Sequence, residues 1–166
     1  MPVRALAALF ALTCATFSAA PAFACTPLIA TDPETGETYT SGSDEWRRRE
    51  QASWRAEADV VFIAQIREGR MVGGGEIEFT LTPITTVYGG AVPEAMLLYR
   101  WNPGHTCNAF KLNLTDLVIV YADVDQIGWG VVGLTVPDQL QDQPSDFRRT
   151  LRGIARGIIT GPSLSE

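Results

Sequence analysis

The spacing of hydrophobic and polar positions changes several times along the chain, and each change predicts an element. Met1 to Arg4 give a short basic start, Ala5 to Phe17 an apolar run broken only by small polar residues, and Ala22-Phe23-Ala24 a small-x-small site. This is the pattern of a cleaved export signal, and the run is too short for a spanning helix. Residues 1–24 are therefore expected to be removed, leaving 25–166 as one domain in the periplasm or outside the cell. From Thr26 to Ser43 the chain is polar and turn-rich without periodicity, which predicts an extended loop, most polar over about 31–43. Ser43 then stands as a helix cap ahead of Asp44 and Glu45, and the stretch to Glu57 lacks Gly and Pro. Trp46 and Trp54 are expected to anchor this helix to the core, with Arg47-Arg48-Arg49 facing solvent.

Ala58 to Arg67 switches to β-branched and aromatic residues, and period two places Val60, Phe62, Ala64 and Ile66 on one face. The Gly73-Gly74-Gly75 turn leads into a second strand, where Ile77, Phe79 and Leu81 alternate with Glu76, Glu78, Thr80 and Thr82. Pro83 cannot donate to a ladder and predicts a bulge or an edge, after which Ile84 to Tyr88 continue the strand. Ala95–Trp101, Asp116–Ala122 and Trp129–Thr135 supply three more strands. Ser145 and Asp146 begin a final helix with Phe147, Leu151, Ile154 and Ile158 on one side and Arg148, Arg149, Arg152 and Arg156 on the other. Five short strands, with one helix before and one after, predict an all-β domain with flanking helices, a small closed or partly open barrel of the OB-fold type.

Composition narrows the chemistry. Hydrophobic residues make up 46% and charged residues 19%, enough apolar material for a core. The formal charge is −6, and loss of Arg4 with the signal makes it one unit more negative, which opposes nucleic acid as a partner. There is one histidine, His105, no Gly-x-Ser-x-Gly, no His-Glu-x-x-His and no carboxylate pair that periodicity brings together. Hence no catalytic residue and no cofactor is expected. Gly104-His105-Thr106-Cys107 offers too few ligands for a metal, and the Asp123-Val124-Asp125 turn lacks the other ligands of a calcium loop. The three glycines lack the lysine and the following helix of a phosphate loop, and acidic flanks weaken a phosphate reading of Arg47 to Arg49. Trp101 and Trp129 read as packing residues rather than stacking platforms. Asn113-Leu114-Thr115 fits a glycosylation sequon, which matters only in a eukaryote. The last helix has a membrane-surface reading, but closing the end of the barrel accounts for its apolar face, with carboxylates elsewhere as partners for its arginines.

Cleavage after Ala24 makes Cys25 the first residue and leaves it with Cys107 as the remaining cysteines. Two outcomes are open. One is a disulfide, favoured by an oxidising compartment, which over so long a loop stabilises by about 4 to 5 kcal/mol. The other is acylation of Cys25, giving a lipid-anchored envelope protein with a scaffold or assembly role.

Several of these segments together resemble the netrin-like module, whose best-known members are the tissue inhibitors of metalloproteinases. The similarity rests on Cys25-Thr26 at the start, a helix running into Ala58-Asp59-Val60-Val61-Phe62-Ile63-Ala64, Tyr99-Arg100-Trp101-Asn102-Pro103 ahead of Cys107, and Leu117-Val118-Ile119-Val120-Tyr121-Ala122. A closing helix with Leu151-Arg152-Gly153-Ile154 adds to it. The resemblance implies an OB-fold domain in which Cys25 pairs with Cys107 and the free amine and carbonyl of Cys25 chelate the zinc of a partner protease. An amine with a pKa of about 7.7 to 8.0 can replace water at the open position of a catalytic zinc. Thr26 and Pro27 would follow into the partner's cleft, with His105 and Thr106 alongside. The chain departs from those inhibitors in lacking their Cys-x-Cys start and second domain, and in carrying the polar stretch of about 31–43.

Overall fold

The computed structural model describes residues 29–101, 112–124 and 128–161. In chain order these form β1 (Ile29–Thr31), β2 (Thr38–Thr40), α1 (Asp44–Glu57), β3 (Val60–Gly73), β4 (Glu76–Gly89), β5 (Leu97–Trp101), β6 (Leu117–Val124) and β7 (Trp129–Thr135), then a 3-10 turn (Pro137–Gln139) and α2 (Phe147–Ala155). The five expected strands, β3 to β7, make one antiparallel sheet in the order β5-β4-β3-β6-β7.

The centre of the sheet is apolar on both faces because both are covered. Val60, Phe62, Ala64 and Ile66 do share a face, and they pack with Phe79, Leu81, Val118, Val120 and Leu134 inside the curl of the sheet. The intervening Val61 and Ile63 are buried as well, with Ile119, Tyr121, Leu140 and Phe147. Trp54 of α1 and Leu151 and Ile154 of α2 cover this second cluster. Period-two reading credits such a strand with one buried face, and two overlying helices supply the second.

Glycines set the hairpin joining β3 to β4: Gly73, Gly74 and Gly75 all have positive φ, a region closed to most side chains. Register shifts recur along this pair, one of them between Ile63 and Ala64, where Ala64 faces Pro83. β5 pairs β4 only from Ile77 to Leu81, so Pro83 meets both expectations, an irregular register and an unpaired edge. The strands are also staggered: β6 pairs β3 only from Val60 to Gln65, so the outer half of β3 reaches past its neighbour.

The expected barrel closure is not present. Among the described residues no ladder joins the edge strands β5 and β7, although their Cα atoms come within 8 Å of one another. The stretch expected to be an extended loop contains the β1–β2 hairpin, with Ile29, Ala30 and Thr31 facing Thr40, Tyr39 and Thr38.

Helix α1 starts as expected, with the Ser43 hydroxyl accepting from the Trp46 amide at 3.1 Å. Trp54 reaches the core and tilts on Tyr121, at 5.5 Å between centroids, and Gly133 of β7 is the hole that admits its indole. Trp46 packs on Tyr39 of the hairpin rather than on the core, with centroids 5.7 Å apart. Helix α2 ends earlier than expected: Gly157, at φ 69°, donates to the Ile154 carbonyl and Ile158 to the Gly153 carbonyl, each at 2.9 Å. This Schellman turn swings Ile158 off the buried face and leaves it 73% exposed.

Candidate partner-binding end

The residues that the sequence singles out for binding, Cys25, Thr26, Pro27, His105, Thr106 and Cys107, lie outside the described residues, as does Asp125. The elements that flank them are described. Chain enters at Ile29, the first residue of β1, and leaves β5 at Trp101.

The hairpin is held by a short polar relay. Asp32 closes its own turn by accepting from the amides of Glu34 at 2.8 Å and Thr35 at 3.1 Å through Oδ1, and Oδ2 pairs with Arg49 of α1. Arg49 also donates through Nε to Glu45 at 2.7 Å, and its guanidinium lies 4.8 Å from the centroid of the Tyr39 ring. The Arg49 hydrogen bond, followed by the amides of Thr35 and Glu34, pulls the Asp32 carboxyl down from 3.8 to about 2. Asp32 and then Glu45 hold Arg49 firmly in its charged form. Of the arginine run expected to face solvent, Arg49 is therefore a hairpin tie. Arg47 and Arg48 pair along the helix with Asp44 and Glu45, so this run has carboxylate partners rather than a free phosphate site.

Tyr99 is half-buried, and burial, with a smaller contribution from the charge of Glu50 on α1, raises its hydroxyl pKa. Glu50 is itself shifted up by desolvation, partly offset by a hydrogen bond from Trp46. Trp101 tilts against Phe79 with centroids 6.2 Å apart. The hairpin flank is thus tied to the N-terminal part of α1 through Arg49 and Trp46, and the β5 flank packs on the core through Tyr99 and Trp101.

Other candidates resolve more simply. Trp101 and Trp129 are half-buried against the core cluster. Asn113 is exposed, and its amide nitrogens, backbone and side chain, both donate to the Asp116 carboxylate. Among the described residues no three His, Cys, Asp or Glu side chains gather as a metal site would need. Two arrangements escape period-two reading. Glu78 on β4 is buried because Arg70 of β3 and Arg100 of β5, at the same register, close over its carboxylate. Arg70 Nε donates to one oxygen at 2.8 Å and Arg100 Nε to the other at 3.0 Å, and these bonds lower the Glu78 pKa. A charged residue on an alternating strand reads as solvent-facing; only the register of its neighbours reveals the fork. The second is an exposed row on α2, where Arg148, Arg149, Arg152 and Arg156 have no carboxylate within ion-pair distance among the described residues, contrary to the expectation that carboxylates elsewhere serve them.

Compared with protein-family models, with curated proteins and with solved structures, the chain matches none. Among the described residues no helix is long and apolar enough to cross a membrane.

Proposed function

We propose that the protein is an exported, non-catalytic binding module whose partner surface is the end of the sheet around the N-terminal part of α1. Its sharpest form is that of the netrin-like inhibitors: Cys25, tied to Cys107, offers its amine and carbonyl to the zinc of a partner metalloproteinase. The finer fold that goes with this reading is a partly open OB barrel. Counted from β3, the sheet order is 3-2-1-4-5, so the third and fifth strands run parallel at the two edges, the seam where a five-stranded barrel of this order closes.

The observation that carries the reading is the ion pair that ties the hairpin opened by Ile29 to α1. The Arg49–Asp32 pair fixes that hairpin, while β5, which leads to His105 and Cys107, is anchored against the core by Tyr99 and Trp101. A chain end held by a rigid hairpin has little ordering entropy left to lose on binding.

Intact mass of the exported protein with and without reductant, combined with N-terminal sequencing, tests the premise. A start at Cys25 and a two-proton gain on reduction are expected. Acetylating the Cys25 amine is then expected to abolish inhibition in a panel of zinc endopeptidases. An acylated Cys25, a start elsewhere, or inhibition indifferent to acetylation overturns the chelation mechanism, and acylation favours the lipid-anchored alternative.

A further inference from the structure

Arginines are distributed unevenly over this acidic molecule. Arg47, Arg48, Arg49, Arg55, Arg70 and Arg100 each sit on a carboxylate. Among the described residues the four along α2 and its C-cap do not, although the chain has 19 acidic against 13 basic side chains. Arg67 on β3 also lacks an ion pair, but it stands singly, whereas Arg149, Arg152 and Arg156 are gathered along one helix.

The same helix borders a groove of about 460 Å³. Arg149, Arg152 and Arg156, at i, i+3 and i+7, form one wall and the returning Ile158 and Ile159 the other. Two glycines build it. Gly157 reverses the chain, and Gly153 forms the floor because a Cβ there would come within 3.0 Å of the Ile159 side chain. Beyond the groove, Gly161 lies against the backbone of Pro83, which ties the return segment to β4. The groove thus sets an apolar wall opposite a row of guanidinium groups.

We propose that this groove is a docking site for an acidic segment of a partner protein, one in which carboxylates alternate with apolar side chains. Guanidinium forks match carboxylates in a bidentate fashion and are more weakly hydrated than ammonium groups, so they serve interfaces well. Alternate apolar side chains would cover Ile158, otherwise one of the most exposed large hydrophobic residues of the protein. A concave site with an apolar wall facing arginines suits a peptide better than a bilayer surface. Moreover, Phe147, Leu151 and Ile154 are already engaged in the core, so α2 has no free apolar face to lay into lipid. The groove is carried by α2 and its return turn, independently of the elements that carry the chelation reading.

The test is fluorescence anisotropy of the exported full-length protein with a labelled Glu-Leu repeat hexapeptide, against a Lys-Leu repeat and against phosphatidylglycerol vesicles. Saturable binding of the acidic peptide alone is expected, weakening as salt rises because the rim charges are exposed. The R149E/R152E double variant is expected to lose about a hundredfold in affinity, on the basis of about tenfold for each charge-assisted contact. Ile158→Ser is expected to weaken binding severalfold. Arg67→Glu reverses one exposed arginine away from the groove, the same change that each of the two groove positions undergoes, and is expected to leave binding intact. Circular dichroism and thermal midpoints confirm that each variant remains folded, and R149Q/R152Q repeats the test without charge reversal. Absence of saturable peptide binding, an equal loss in Arg67→Glu, or vesicle binding in place of peptide binding overturns the proposal.

Discussion

Gln51 shows how much one side chain can specify. It is a polar residue buried on α1, and its amide spans three other parts of the molecule. Nε2 donates to the Gln139 carbonyl at 2.9 Å and, at the longer distance of 3.5 Å, approaches the Thr135 hydroxyl. Oε1 accepts from the Gln141 amide at 2.9 Å and, again at 3.5 Å, from the Tyr121 hydroxyl. The orientation of the amide follows from its partners, since a carbonyl needs a donor and an amide N–H an acceptor. Truncation removes the partner of two part-buried backbone groups, at about 1–2 kcal/mol each. Gln51→Ala is therefore expected to destabilise the fold by about 2–4 kcal/mol. Gln51→Glu is expected to cost at least as much, because it keeps the acceptor but sets a charged oxygen against the Gln139 carbonyl. Urea unfolding midpoints, with slopes compared to confirm two-state behaviour, check both values. In the sequence this glutamine is one polar residue among many on a charged helix. Its partners lie 70 to 90 positions away along the chain, which is why periodicity cannot single it out.

At the scale of elements, the long central strands and the first helix were legible because their information is local. A β-branched run, a glycine turn and a serine cap each act within a few residues, and β3, the β3–β4 hairpin and the start of α1 follow from them. The β1–β2 hairpin was not legible, because strands of three residues carry no alternation and this one is held from outside by Arg49. That dependence has a consequence for pH. Asp32 has its folded pKa lowered from 3.8 to about 2, so its stabilising contribution is complete above 3.8 and is lost as pH falls through about 2. Glu50 is shifted upward and acts in the opposite sense above 4.5, but it is common to the native protein and any Asp32 variant. Asp32→Asn is therefore expected to flatten the fall of the urea midpoint between about pH 4 and pH 2, while lowering the midpoint at pH 7. The aromatic signal of the Tyr39–Trp46 contact is expected to change with the hairpin. An unchanged acid profile would show that the Asp32–Arg49 pair does not hold it. The candidate end divides along the same line. His105 and the cysteines announce themselves as residue types, whereas the tie between the hairpin and α1 emerges only from Arg49 in three dimensions.

For the molecule as a whole, the open seam of the sheet is the decisive feature. β6 and the first half of β3 are the most deeply buried stretches of the sheet, and Phe62, Ile63, Ala64, Val118, Ile119 and Val120 have no exposed surface. β5 and β7 are edges that approach one another without pairing. In β5 alternate amides point away from β4, toward that seam. Two descriptions of the molecule then differ in a measurable way. If the seam stays open, as in a partly open barrel, the seam-facing amides of Leu97–Trp101 exchange with solvent through local fluctuations while those of Phe62–Ala64 exchange only on global unfolding. If the seam zips into a parallel ladder, both sets exchange at the global rate. The structure predicts the first pattern, and native-state hydrogen exchange read residue by residue distinguishes them. A proline at a seam-facing position of β5, Leu98 or Tyr99 according to which amide exchanges faster, adds a thermodynamic check. It removes a donor that pairs with nothing if the seam is open, and a ladder bond if it is closed. The cost is expected to be smaller than that of a proline at Val120, where the strand pairs on both sides. An open seam also leaves β5 held on one side alone, by β4, so the geometry of the proposed binding end depends on how firmly Tyr99 and Trp101 are packed into the core.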